Sequence, residues 1–425
     1  VETSFRAPLY PAFLALVYFL SGLGARFFAA RITQAALLAL LAPLTYALAR
    51  RVLNDKRVAR AAAYIIAFYP MLLLYPLALA TENLFFVLVL ASVVALLWAG
   101  ENPETPALER ATPGKQLLTP RARGLAKYLL AGVLLGLAVL TRSIIVAFLP
   151  IAALWIWFAV KDKRGAVIFF VSALLVTLPW TARNTLLHGQ LTFVETSLGY
   201  NLYLGYHPQG NGSFQFGISL DLLTILDDAE RNRVGTRAAL EFIRNDPARA
   251  VYLDALKLSY LFGFETRAAM YFYSNDFFGP LPLPLLVLIA LLFVLPFAAV
   301  ATLAAIGIVF AWQGKGTVGS LPNRRALLLM ALLFIAYIVP HILIMVEERF
   351  HMTLVPFLAV FAAYAWINRA DITQRVQIGA ARRAATLALL LVLLLLFNWG
   401  LEITRNAPRY ALLFSPNGNT AGFTY

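Results

Sequence analysis

The chain has 425 residues, 61% of them hydrophobic and only 13% charged, with a mean hydropathy of +0.76. Soluble domains run at about 45–50% apolar and about 25% charged, so the composition excludes a soluble enzyme, a disordered chain and a coiled coil. Lys and Arg exceed Asp and Glu by 35 to 21, and with no cysteine in the sequence neither disulfide staples nor thiolate metal sites are available.

In chain order, Pro8 to Leu20 comes first, an apolar segment too short to span and expected to lie in the interface or to re-enter. Ten spanning segments follow, at 32–49, 61–79, 83–99, 128–141, 144–160, 166–180, 281–312, 326–346, 352–367 and 385–402. Their apolar runs are continuous rather than alternating, which argues for helices and against an outer-membrane barrel. The long segment between the sixth and seventh spans is polar. Within it Asp246-Pro247 predicts a helix start, residues 227–233 read as a solvated helix, and the Gly-rich stretch 205–217 reads as loop. The phrase Leu-Gly-Tyr-Asn-Leu-Tyr-Leu-Gly-Tyr at 198–206 is too regular for a random loop. The expected architecture is an all-α polytopic membrane protein: an N-terminal transmembrane module at 1–180, an extracytoplasmic lid at 181–279, and a C-terminal transmembrane module at 280–425 ending in an outer tail.

Charge sets the expected orientation. Twenty of the 35 basic residues fall in five short loops, at 50–60, 101–127, 161–164, 315–325 and 369–383, accompanied by only six acids. Alternate threading puts all five loops on one side, which the positive-inside rule makes cytoplasmic. The whole excess of 14 positive charges is then a topology signal, and no nucleic acid is needed to explain it.

Ionisable groups at the outer ends of spans are the candidates for chemistry, because charge at membrane depth is costly. Four stand out: Glu82 in Ala-Thr-Glu-Asn, Arg142 in Leu-Thr-Arg-Ser, Arg183 in Pro-Trp-Thr-Ala-Arg-Asn, and Arg349 in Glu-Glu-Arg-Phe-His. Each alone is explained as a helix cap or a side chain reaching for headgroups. Together they lie on the side where no charge bias is expected, and three arginines are suited to hold a phosphate through their planar forks. His341 sits in the outer third of a span. A metal site would need three or four converging ligands, for which no spacing signature exists, so no metal or other cofactor is expected.

Several phrases taken together resemble the bacterial membrane glycosyltransferases related to protein O-mannosyltransferases, the glycosyltransferase family 39 group of the GT-C fold. They are Arg-Ala-Pro-Leu-Tyr-Pro (6–11), Ala-Thr-Glu-Asn-Leu-Phe (80–85), Gly-Leu-Ala-Val-Leu-Thr-Arg (136–142), Pro-Trp-Thr-Ala-Arg-Asn (179–184) and Glu-Glu-Arg-Phe-His-Met-Thr-Leu-Val-Pro (347–356), with 198–206 between the last two. The resemblance implies a GT-C-type transmembrane helix bundle in the plasma membrane with its site facing the periplasm or exterior. It further implies transfer of a sugar from a polyprenyl-phosphate carrier to an acceptor, with inversion. Position by position, Glu82 resembles the second-loop acid and is the expected catalytic carboxylate, while Arg142, Arg183 and Arg349 resemble donor-phosphate arginines. Arg6, Tyr10, Asn184, His341 and Glu348 are expected to line the site. In that family the principal catalytic acid lies in a first outer loop preceding the position of Arg6. Here Glu2 is the sole acid before Arg6, and the expectation is that an N-terminal portion is missing from the sequence. The rival readings are a non-catalytic membrane subunit whose partners are other membrane proteins, and a lipid-linked sugar flippase or transporter.

Overall fold

The computed structural model describes residues 3–101, 120–264, 282–314 and 322–413. Glu2, Arg110, Lys115, Lys315, residues 265–279 and the tail beyond Leu413 lie outside them. The described residues form helices and no strands. Residues 1–188 contain α1 (Leu9–Ala39), α2 (Leu41–Leu53), α3 (Lys56–Ala67), α4 (Pro70–Leu74), α5 (Glu82–Ala99), α6 (Pro120–Val139), α7 (Phe148–Trp155) and α8 (Lys163–His188). The segment expected to be outer contains α9 (Leu198–Tyr206), α10 (Phe216–Ser219), α11 (Asp228–Asn245) and α12 (Pro247–Leu261). Beyond it follow α13 (Leu283–Gln313), α14 (Arg324–Leu343), α15 (Val355–Ile367), α16 (Arg369–Gln377) and α17 (Arg382–Leu413).

Among the described residues seven helical segments are long and apolar enough to cross a bilayer, or eight if the bent pair Lys56–Ala67 and Pro70–Leu77 counts as one. The two remaining expected spans appear as the shorter apolar helices Gly124–Val139 and Val355–Ile367. Each of the ten segments read from the sequence therefore has a helical counterpart, and the chain is an all-α multi-pass membrane protein.

Local chemistry accounts for the departures. Pro8–Leu20 is not a separate short element. It runs into the 31-residue α1, whose path breaks only at Gly22, where φ of 73° admits glycine without a Cβ clash. The second span bends by 49° at Phe68–Tyr69, because Pro70 cannot donate to the preceding turn and opens a new helix instead. The span expected at 166–180 extends to His188 and carries Arg183 within the helix rather than after it. Asp55, Asp162 and Asn323 cap α3, α8 and α14 by accepting from backbone N–H groups of the first turn.

Close packing needs small residues because lipid offers no hydrophobic drive between helices. Gly132 and Gly136 let α6 lie against Phe169, Ser172, Ala173 and Val176 of α8, and Gly307 lets α13 lie against the Phe361 carbonyl of α15; none has room for a Cβ. Ser92 adds an interhelical hydrogen bond to the Ala131 carbonyl at 2.9 Å. By contrast, Leu389, Leu390, Leu393, Leu394 and Phe397 on α17 are exposed, as lipid-facing residues would be.

The regular phrase at 198–206 is α9, and its spacing has a structural cause. Gly199 abuts the Asn232 carbonyl of α11 and Gly205 abuts the Ile344 carbonyl, so both faces admit backbone. The tyrosines between them each donate to a different partner: Tyr200 to the Ser219 carbonyl at 3.1 Å, Tyr203 to Asp221 at 3.0 Å and Tyr206 to Asp254 at 2.8 Å. Asp227 and Asp246 cap α11 and α12. The outer segment also grips the strip that follows α14. Val346 N–H donates to the Gly212 carbonyl at 3.3 Å, Glu347 accepts from Ser213 and Phe214, and the buried Lys257 ammonium lies 3.5 Å from the Ile344 carbonyl.

Candidate functional site

A cleft of about 710 Å³ opens at one end of the bundle, lined by residues from the start of α1, the turn before α5, the turn after α6, the strip after α8, α9 and the end of α14. A second cavity of about 450 Å³ is lined by Leu97, Gly100, Trp155, Val160, Arg324 and Arg325. Helix α5, the 143–160 segment and α14 each contribute one end to the cleft and the opposite end to this cavity. The cleft thus sits away from the arginine-bearing loops, on the side the charge pattern makes outer.

Glu82 enters the cleft because the turn before it is pinned from below. Asn83 donates to the Ala78 and Ala80 carbonyls at 2.9 and 3.2 Å and to the Gln34 amide oxygen at 3.2 Å. That oxygen also accepts from the Tyr10 hydroxyl, while the Gln34 amide nitrogen donates to the Pro76 carbonyl at 3.0 Å. Gln34 and Asn83 are fully buried. These bonds pair both ends of the Gln34 amide and the Asn83 nitrogen, leave Asn83 Oδ1 without a partner, and tie the turn to α1.

Arg142 leaves α6 in an extended conformation, and its guanidinium Nη1 meets Glu82 Oε1 at 2.6 Å while lying 4.6 Å from the Phe350 ring centroid. Arg349, in the turn Glu348–Thr353, brings Nε to 3.5 Å from the same oxygen. Tyr337 anchors that turn by donating to the Phe350 carbonyl at 2.9 Å. The Thr81 hydroxyl donates to Glu82 Oε2 at 3.1 Å. Burial disfavours charge on Arg142 most strongly, but the Glu82 carboxylate together with Tyr337 and Tyr75 outweighs it, and the guanidinium pKa lies above its ordinary value. Side-chain exposure is 6% for Glu82, 19% for Arg142 and 52% for Arg349. Two guanidinium groups on this one carboxylate leave a surplus positive charge at Glu82, part of which Glu347 offsets at Arg349, the more exposed of the two arginines.

Of the residues expected from the sequence, Glu82, Arg142, Arg349, Arg6, Tyr10 and His341 line this one cleft. Arg183, Asn184 and Glu348 are not among its lining residues. Arg183 lies in α8, donates to the Thr3 carbonyl at 3.0 Å and to Asn184 Oδ1 at 2.9 Å, and stacks on Trp180. Asn184 donates to the Phe193 and Val194 carbonyls. Both therefore brace the backbone around the cleft instead of presenting charge to it. The extension of α8 past Pro179 is the reason: it carries residues 183 and 184 beyond the turn that the sequence places them in.

One cleft residue that the sequence reading passed over is Glu195. Its Oε2 accepts from the Ala7 N–H at 3.2 Å, and its Oε1 accepts from the Ser143 hydroxyl. Nothing in Thr-Phe-Val-Glu-Thr-Ser distinguishes it from the other outer acids; only the fold brings it beside residues 6 and 143. No group of three or more His, Cys, Asp or Glu side chains is placed to hold a metal ion among the described residues.

Residues 11–186 match the family model of dolichyl-phosphate-mannose-protein mannosyltransferase. No curated protein sequence matches significantly. Among solved structures, the apo oligosaccharyltransferase of Archaeoglobus fulgidus is 15% identical with a TM-score of 0.48, covering 99% of this chain and 49% of its own. The same enzyme tethered to an acceptor peptide gives 16% and 0.47, with 99% and 48% covered. In complex with an inhibitory peptide and a dolichol-phosphate it gives 17% and 0.46, with 98% and 51% covered. The chain spans about half the length of the structures it matches.

Proposed function

We propose that the protein is an integral-membrane glycosyltransferase that moves a sugar from a polyprenyl-phosphate donor to an acceptor hydroxyl on the extracytoplasmic side of the plasma membrane. The observation that carries this reading is the convergence of Glu82, Arg142 and Arg349, distant in sequence, in one cleft at the ends of the spans. The family match over residues 11–186 supports the donor class.

In this reading Glu82 holds the two guanidinium groups, and their surplus charge receives the donor phosphate. A lipid phosphate is already a good leaving group, so stabilising its departing oxygens matters more than protonating them. Guanidinium groups supply that positive charge in a fixed fork that matches phosphate oxygens. A cleft at the membrane face lets the polyprenyl tail remain in lipid while the sugar enters a polar space. Arg183 and Asn184 belong to the support of the cleft walls.

The test uses the purified protein with polyprenyl-phosphate sugars. The wild type consumes donor, whereas Arg349→Ala and Arg142→Ala abolish turnover with expression intact. Normal turnover in both variants refutes the arginine roles.

A further inference from the structure

Of the four histidines in the sequence, the one that lines the cleft is His341, near the end of α14. Only 2% of it is exposed. Its Nδ1 lies 2.7 Å from the Tyr337 carbonyl, one turn earlier in the helix. A carbonyl oxygen only accepts, so Nδ1 carries the hydrogen and the neutral ring has a bare lone pair on Nε2. That nitrogen has no hydrogen-bond partner among the described residues. A buried acceptor left open in the wall of a cleft is costly unless a ligand meets it.

The ring is held in place. It packs against Tyr337, with centroids 4.3 Å apart, and against Phe350, 5.0 Å away. Tyr337 is itself anchored: it donates to the Phe350 carbonyl at 2.9 Å, and its oxygen lies 2.8 Å from the Thr353 hydroxyl. Phe350 also carries the guanidinium carbons of Arg142 and Arg349, at 4.6 and 6.0 Å from its centroid. The imidazole and both arginines therefore share one aromatic ring, and a group held by the arginines has His341 for a neighbour.

We propose that His341 reads the sugar of the donor: its Nε2 accepts a hydrogen bond from a sugar hydroxyl while the arginines hold the phosphate. This rests on the glycosyltransferase reading above. The division of roles follows from which groups own protons. Guanidinium groups only donate, and the phosphodiester of a polyprenyl-phosphate sugar has no proton to give, so those two pair with each other. Nε2 of the neutral ring only accepts; it takes nothing from a phosphodiester and needs an O–H. The sugar hydroxyls are the O–H groups that the covalent bond to phosphate brings nearest. A site built to hydrogen-bond a hydroxyl rejects a ligand that lacks it. His341 is then a specificity-determining residue that separates the glycosylated lipid from the bare polyprenyl phosphate left after transfer.

The experiment compares wild type, His341→Phe, His341→Gln and Arg349→Ala, each as the full chain in lipid nanodiscs without acceptor. Binding near neutral pH is measured for bare polyprenyl phosphate and for a set of polyprenyl-phosphate hexoses and pentoses. The wild type is expected to bind at least one glycosylated member about tenfold more tightly than bare polyprenyl phosphate. His341→Phe removes that margin yet binds bare polyprenyl phosphate within about threefold of wild type, which also shows that it folds. His341→Gln, which offers a carbonyl oxygen in place of Nε2, keeps part of the margin. Arg349→Ala loses both ligands. NMR of protein labelled at its histidine nitrogens, with the His341 signals identified by their absence from His341→Gln, shows a hydrogen on Nδ1 and none on Nε2. The Nε2 signal moves with the glycosylated lipid and not with bare polyprenyl phosphate. A margin that survives in His341→Phe overturns the assignment and leaves the arginine site standing; a hydroxyl supplied by the acceptor gives that result. Loss of bare polyprenyl phosphate binding in both His341 variants overturns it too, as does a hydrogen on Nε2. A wild type that binds bare polyprenyl phosphate but no glycosylated member more tightly overturns the sugar contact alone. A wild type that binds neither overturns the underlying glycosyltransferase reading as well.

Discussion

The ion pair between Glu82 and Arg142 makes a quantitative prediction about which arginine holds the fold. Removing one partner of a buried pair strands the other charge and costs about 3–5 kcal/mol. Arg142→Met leaves Glu82, 6% exposed, with the Thr81 hydroxyl and with Arg349 at 3.5 Å. That residual pairing puts the expected cost at the low end, about 3 kcal/mol. Arg349→Met removes a guanidinium that is 52% exposed, for which solvent screening leaves about 1 kcal/mol or less. The double variant Glu82→Gln/Arg142→Met removes both charges and is expected to cost about 1 kcal/mol, well below the sum of the single costs. Equilibrium unfolding in mixed micelles, followed by tryptophan fluorescence, measures wild type, the single variants Arg142→Met, Arg349→Met and Glu82→Gln, and the double variant. Equal losses for Arg142→Met and Arg349→Met, or additive losses in the double variant, refute this account of the pair.

Gln34→Leu leaves the Tyr10 hydroxyl and the Pro76 carbonyl without the partners that Gln34 provides; a loss of about 2–4 kcal/mol is expected in the same unfolding assay. Lys257 is fully buried beside Asp254 at 3.0 Å, and burial pushes its ammonium down to about 8 from an ordinary 10.5. The folded form then disfavours the proton, so the penalty is complete below pH 8 and fades as pH rises toward 10.5. Lys257→Met lacks this titration, so wild type is expected to gain about 3 kcal/mol of stability relative to the variant as pH rises from 8 to 10.5. Thermal unfolding at graded pH records the change, and parallel curves for the two proteins refute it. Gly307→Val forces a side chain against the Phe361 carbonyl and separates α13 from α15, with an expected cost of about 1–3 kcal/mol and a loss of monodisperse protein on size exclusion.

How much of this was legible in the sequence follows from which forces are local. The ten apolar segments were readable as helices because a bilayer imposes a length and an apolar composition on each segment separately. Their exact limits were less so. The reach of α8 past Pro179 comes with side-chain bonds from Arg183 and Asn184 to backbone carbonyls of Thr3, Phe193 and Val194, outside the segment itself. The Leu-Gly-Tyr repeat at 198–206 announced order without revealing its purpose, since the partners of its glycines and tyrosines lie in α11, α12 and the strip after α14.

The sequence alone determined the all-α membrane architecture and the short set of ionisable groups at the ends of the apolar segments. Hydropathy and charge bias act residue by residue and need no knowledge of neighbours. Only the tertiary structure decided which of those groups meet. It joined Glu82 to Arg142 and Arg349, left Arg183 bracing a wall, and brought Glu195 between residues 7 and 143. An ion pair depends on distances of a few ångströms between side chains far apart in the chain, and those distances exist only once helices have packed.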